Sequence, residues 1–200
     1  FETNSALGCM ITASHNPVSD SGIKVFDSGG FKTYPELEER ISELVTQLAA
    51  EDREVDHSHM LSLESPDAEF DADSAHQELL KIRLSELTES FAEPVHGKLL
   101  IDSSKGAAGN WLAGFLCELG IEAEEISGDA IALNENCGAG EFNPTDSWTW
   151  EEAAMDEHLL IKSLERCEAG KIVAAALDGD GDRCLFIEST TDGVKVVDGD

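Results

Sequence analysis

Asp178, Asp180 and Asp182 alternate with Gly179 and Gly181 and run straight into Arg183. Three carboxylates within five residues repel one another unless a cation or solvent relieves them, and glycines between them permit the positive φ that lets such a segment curl round one hard cation. The segment is not a calcium EF-hand. Its sixth position, which needs glycine, is Arg183, and its twelfth, which needs glutamate, is Ser189. The competing reading is an acidic turn with no ligand. Arg183 has two readings on spacing alone, a grip on a phosphate or a counter-charge to the loop. A second segment, Thr12-Ala13-Ser14-His15-Asn16-Pro17, sets a serine beside a histidine. No G-x-S-x-G elbow surrounds Ser14, so spacing alone favours a hydroxyl that caps a turn over a nucleophile.

Each segment needs a strand to deliver it. Gly8 to Ala13 is apolar and β-prone, and Pro17 prevents that strand from continuing through the polar loop. Ile172 to Leu177 is a short apolar run that leads into Asp178, which predicts the acidic loop at the carboxyl end of a buried strand, where open α/β sheets place ligands. Between them, Gly22 to Phe26 reads as a short strand and Gly29-Gly30 as a turn. From Pro35, Leu37, Ile41, Leu44, Val45 and Leu48 fall on one face of an amphipathic helix that ends near Ala50. Residues 51–73 read as a long acidic surface loop broken by Pro66. A second helix follows, with Leu79, Leu80, Leu84, Leu87 and Phe91 inward. Residues 93–97 read as a linker between a part spanning 1–92 and a part spanning 98–200. In the latter, strand (98–102), helix (107–119), strand (121–126), helix (151–168) and strand (172–177) alternate. That predicts the α/β class, with mixed, mostly parallel sheets flanked by helices.

Composition narrows the function classes. The 200 residues carry 13 Lys+Arg against 42 Asp+Glu, a net charge of −29. Such a field repels a phosphate backbone and an anionic membrane surface, so neither nucleic acid nor membrane is an expected partner. It leaves open a solvated acidic surface or an acidic site for cations. Hydrophobic residues make up 41 % of the chain, enough for a packed core. The longest apolar stretch, Ile172 to Leu177, falls far short of the ~20 residues of a membrane helix, and Phe1-Glu2-Thr3-Asn4 shows no signal-peptide pattern. Five scattered cysteines without Cys-x-x-Cys indicate neither a disulfide framework nor zinc, so a reduced, cytoplasmic protein is expected. Gly138 to Asn143 lacks the third glycine of a dinucleotide loop, no G-x-x-x-x-G-K-[ST] occurs, and the six histidines show no metalloprotease spacing.

Taken together, the two loops resemble those of a known family. Ile11 to Pro17 resembles the phosphoserine loop of the α-D-phosphohexomutases, and Asp178 to Arg183 resembles their magnesium loop, in the family's order and with an α/β unit between them. The resemblance implies that Ser14 carries a phosphoryl group and that Ser14, Asp178, Asp180 and Asp182 hold Mg2+. It thereby overrides the turn-capping reading of Ser14. The family loop continues with Asn-Gly-x-Lys, matched here by Ser21-Gly22-Ile23-Lys24 except at Ser21, which implies proton transfer and charge neutralisation for Lys24. His15 and Arg183 also fall on active-site positions of the family, where orienting the loop and balancing charge are the alternative roles. Leu133 to Ala139 and the ending Val197-Asp198-Gly199-Asp200 resemble the branch that acts on glucosamine or N-acetylglucosamine phosphate, with glucose and mannose phosphomutases the alternative.

The expected activity is interconversion of hexose 6-phosphate and hexose 1-phosphate, with a sugar phosphate as substrate and a sugar bisphosphate as intermediate. Other readings are a non-catalytic metal-binding module, or a metal-dependent phosphatase that would release inorganic phosphate. The family has four domains, and the resemblance covers the later part of the first and most of the second, so a fragment is expected. The sugar-recognition and phosphate-gripping elements of the third and fourth domains are not matched. Misplacing a reacting group by ~1 Å can cost 10²-fold. Residues 1–200 alone should therefore bind metal without measurable mutase turnover. A coupled assay with magnesium, an activating bisphosphate and glucosamine 6-phosphate checks this, and 1-phosphate formation at the rate of an intact enzyme would refute it.

Overall fold

A computed structural model describes residues 7–50, 72–88 and 97–197. The predicted loop at 51–71, Phe91, linker residues 93–96 and the ending at 198–200 lie outside the described residues. The chain divides into two compact units, residues 1–11 with 23–87, and residues 12–22 with 88–200. The serine loop thus groups with the later part of the chain.

The first unit is built on a two-stranded sheet of β1 (Leu7–Thr12) and β2 (Gly22–Asp27), whose far ends continue into the other unit, with helices α1 (Pro35–Ala50) and α2 (Ala72–Thr88). Tyr34 opens α1 by accepting from Leu37 N at 2.9 Å and Glu38 N at 3.0 Å, and Glu36 and Glu38 place negative charge where the helix dipole favours it. The helix is where the apolar spacing predicts it. Its burial is not: Leu37, Leu44, Val45 and Leu48 all stay exposed, and only Ile41 of the stripe is half-buried.

The second unit holds a six-stranded mixed sheet. Its strands are β3 (Leu99–Asp102), β4 (Ala123–Glu125), β5 (Ser147–Thr149), β6 (Ile172–Leu177), β7 (Cys184–Ser189) and β8 (Gly193–Val197), in the spatial order β4-β3-β6-β7-β8-β5. β3 pairs in parallel with β4 and with β6, as the strand–helix alternation predicts. From β6 onward the pairing is antiparallel, a half of the sheet that the sequence reading does not reach. Ile101, Ala174, Ala176, Ile187, Val194 and Val196 fill its interior, with Leu160, Ile161, Trp150 and Ala153.

Two predicted helices are shorter than expected, for local reasons. The one expected at 107–119 becomes α3 (Leu112–Glu118), because Gly106 and Gly109 sit in turns and Ala107 N donates to Gly179 O at 3.0 Å rather than along a helix. The one expected at 151–168 is broken into α4 (Trp150–Ala153) and α5 (Leu159–Lys162). Asp156 causes the break: its carboxylate accepts from Trp148 Nε1 and His158 N, both at 2.8 Å, offering the backbone an alternative to the helical ladder. His158 then caps α5 by accepting from Leu160 N at 3.2 Å. Among the described residues, no helix is long and apolar enough to cross a membrane.

Where β3 ends, Asp102 is fully buried and accepts from Gly138 N at 2.7 Å and Ser104 N at 2.9 Å. Burial outweighs these two bonds and pushes its carboxyl from 3.8 up to about 6. The fold therefore binds this proton more tightly than the unfolded chain does. The stability it contributes is fully present below pH 4 and is lost as pH rises through about 6. Relative to Asp102→Asn, the wild type should lose up to about 3 kcal/mol of unfolding free energy between pH 4 and pH 7. Urea unfolding of both proteins at the two pH values measures this, and a difference that stays flat with pH would contradict it.

Candidate functional site

The two loops singled out by residue type meet inside the second unit. β6 carries Leu177 to the sheet's edge, and Asp178 follows it, buried and held on both carboxylate oxygens. Oδ1 accepts from Arg183 N at 3.1 Å and Oδ2 from Ser14 Oγ at 3.1 Å. The bond from Gly181 N to Asp178 O at 3.0 Å closes the turn, with Gly181 at φ +75, where a side chain would be strained. Asp180 Oδ2 accepts from Thr12 Oγ1 at 2.9 Å, and Thr12 Oγ1 in turn accepts from Ser14 N at 2.8 Å. Two hydroxyls from the serine loop thus bond to two carboxylates of the acidic loop.

The backbones are as tightly matched as the side chains. Gly179 N donates to Ser14 O at 3.1 Å, and a Cβ on Gly179 would lie 2.8 Å from that same oxygen. Only glycine permits the approach. Gly140 plays the same part beneath His15, where a Cβ would come within 2.9 Å of both the His15 carbonyl and its Cβ. Ser14 itself has φ +51, a left-handed conformation that costs energy for any residue with a side chain.

Asp178, Asp180 and Asp182 each offer an oxygen, and these oxygens lie within 4.8 Å of one another. The donor set is oxygen only, which suits magnesium, calcium or manganese rather than zinc or copper. At that spacing Asp178, Asp180 and Asp182 could share one cation. The residues fit a hard divalent cation, the class that includes the magnesium implied by the family resemblance.

The remaining predicted site residues are placed as follows. His15 is half-buried in the serine loop, with Nδ1 buried and without a hydrogen-bond partner. Arg183 is exposed, and the bond it makes to the loop is through its backbone N–H. Lys24 is half-buried on β2 in the first unit. Two contributors carry no role in the sequence reading. Thr12 bridges the loops from within the motif already singled out. Asn134 Nδ2 donates to Ser14 O at 2.8 Å and Asn16 O at 2.7 Å, across more than a hundred residues of sequence. Its signal is the Leu133–Ala139 segment, whose spacing says nothing about reach.

Known proteins are similar to this chain in sequence and in fold. Residues 1–52 match the family described as phosphoglucomutase/phosphomannomutase, alpha/beta/alpha domain I. Phosphoglucosamine mutase of Rhodococcus opacus (strain B4) is 33 % identical over 207 residues, covering 100 % of this chain and 38 % of that protein. Phosphoglucosamine mutase of Lactiplantibacillus plantarum is 30 % identical over 195 residues, covering 96 % of this chain and 37 % of that one. The chain thus spans less than two-fifths of the length of these relatives. The crystal structure of a serine-to-alanine variant of Aspergillus fumigatus N-acetylphosphoglucosamine mutase in complex with glucose 1,6-bisphosphate matches with a TM-score of 0.59. At 18 % identity, covering 98 % of this chain and 46 % of the other, the likeness is one of fold.

Proposed function

We propose, from the premise that the chain belongs to the phosphohexomutase family, that the protein interconverts a hexose 6-phosphate and its 1-phosphate through a phosphoserine at Ser14. The substrate class is glucosamine or N-acetylglucosamine phosphate, a choice supported by the relatives named phosphoglucosamine mutase. The observation that carries the reading is the 3.1 Å bond from Ser14 Oγ to Asp178 Oδ2 at the mouth of a three-carboxylate cluster. A hydroxyl that merely capped a turn would have no reason to face it. Free thiols at all five cysteines support a reducing compartment, and we place the reaction in the cytoplasm.

In the donating half of the cycle, the bond from phosphorus to Ser14 Oγ breaks and a bond from phosphorus to a sugar hydroxyl oxygen forms. The sugar hydroxyl gives up its proton and Ser14 Oγ takes one. The match of Gly22-Ile23-Lys24 to the family motif supports Lys24 as the residue for this proton transfer. In the return half, the bond from the bisphosphate's other phosphorus to its sugar oxygen breaks and a bond from that phosphorus to Ser14 Oγ forms; Ser14 Oγ gives up the proton it directs to Asp178 Oδ2, and the released sugar oxygen takes one. Transfer of this kind needs in-line positioning and charge stabilisation more than covalent activation.

Charge explains why the carboxylates and the serine belong together. Once phosphorylated, Ser14 loses the proton it donates to Asp178, and adds up to about −2 beside three carboxylates. Ser14, through its phosphate, and Asp178, Asp180 and Asp182 would hold Mg2+, which when bound neutralises charge on the transferring phosphoryl group. The site is still anionic after that, near −3, before the sugar phosphate arrives. Arg183 supplies positive charge beside the third aspartate, and His15 orients the serine loop over Gly140.

After incubation of the full-length protein with a sugar bisphosphate, peptide mass spectrometry should find phosphate on Ser14. Label elsewhere with Ser14 unmodified would sink the assignment. Asp180→Ala should lower magnesium-dependent activity by more than about 10²-fold, because it removes one of the metal-holding oxygens. Its melting temperature without divalent metal should stay within a few degrees of wild type, and the rise that magnesium gives the wild type should disappear. Activity that survives at ordinary magnesium concentrations would show that this loop is not the catalytic metal site.

A further inference from the structure

We propose that Asn134 is a positioning residue that holds Ser14 in its reactive conformation, an inference that rests on the phosphoserine reading above. Its amide nitrogen has two N–H donors, and both are used on the carbonyls of Ser14 and Asn16, which flank the His15 peptide unit. With two carbonyls to satisfy, the NH2 group must face the loop, which leaves the buried Oδ1 without a hydrogen-bond partner. The side-chain hydrogen bonds of Asn134 therefore go to the serine loop. Its backbone is committed to the acidic loop's strand: Asn134 N donates to Ser104 O at 3.1 Å, and Ser104 Oγ donates to Leu177 O at 2.9 Å, one residue before Asp178. Asn134 also has φ +57, a conformation that asparagine accepts more readily than most residues.

This chain of bonds ties the backbone of Ser14 to the residue that precedes its carboxylate partner. Ser14 at φ +51 has a standing tendency to relax to negative φ. Two donors oppose that rotation at its carbonyl, Asn134 Nδ2 at 2.8 Å and Gly179 N at 3.1 Å. Without Asn134, the longer bond stands alone. The Ser14 peptide then turns, and Oγ leaves Asp178 Oδ2. Asn134 touches neither the reacting oxygen nor the carboxylates, so it acts through Ser14.

Two variants test this without depending on one fold outcome. Asn134→Gly keeps the left-handed backbone and deletes the amide; Asn134→Asp keeps the shape and replaces the donors by an acceptor. In the full-length protein with magnesium and labelled glucose 1,6-bisphosphate, both should acquire phosphate on Ser14 about 10–100-fold more slowly than wild type. The bisphosphate concentration for half-maximal rate should change less than about threefold, since no substrate contact is removed. Independently of catalysis, hydrogen exchange at the Ser14 and Asn16 amides should quicken by about tenfold or more in the variants, with Ala174 to Ala176 unchanged. Labelling of both variants at the wild-type rate overturns the positioning role, as does unchanged exchange at those two amides. Absence of label on wild-type Ser14 overturns instead the phosphoserine reading on which it rests.

Discussion

Everything at this site depends on bringing a serine hydroxyl to a carboxylate that lies 164 residues further along the chain, in a cluster whose members repel one another. Hydrogen-bond donors make that cluster tolerable. Asp178 receives a backbone N–H from Arg183 and a hydroxyl from Ser14, while Asp180 receives the hydroxyl of Thr12. The serine loop is therefore a structural counterpart of the acidic loop. Each half supplies what the other lacks: donors on one side, anionic oxygens on the other.

The sheet exists in a form that serves this meeting. β3 and β6 lie side by side in parallel, with Asp102 opposite Ala176, so their carboxyl ends open onto the same edge. Alanines at 174 to 176, all buried, let the layers close over β6 without bulky side chains. Behind the edge, Asp102 fastens Gly138 and Ser104, and Ser104 fastens Leu177 and Asn134. The buried carboxylate costs stability at neutral pH, yet it fixes the turn from which Asn134 reaches the serine loop.

How much of this the sequence discloses follows from the range of the interactions. The Asp178–Asp182 alternation and the Ser14 motif are local patterns, so they are legible, and so is the strand that feeds each. The parallel half of the sheet is legible from the spacing of apolar runs. The split between α4 and α5 is not, because Asp156 competes for backbone N–H groups through side-chain bonds that no periodicity reveals. The stripe on α1 shows the right helix while four of its apolar residues remain exposed, since periodicity describes a face and says nothing of what covers it. Asn134 stays silent for the same reason of distance: its two bonds to the serine loop span 120 and 118 residues.

Gly179 and Gly140 do their work by lacking a side chain. Where each touches the serine loop, even a methyl group would push into a carbonyl oxygen, whereas the α-carbons of Gly114 and Gly128 face open space. Inheritance should treat these glycines unequally. Gly114 and Gly128 are free to drift among small residues, while Gly179 and Gly140 are trapped, because any first step away from glycine parts the loops before a compensating change can arise. The durability of this loop contact over generations thus rests on two hydrogen atoms as much as on the side chains that bond across it.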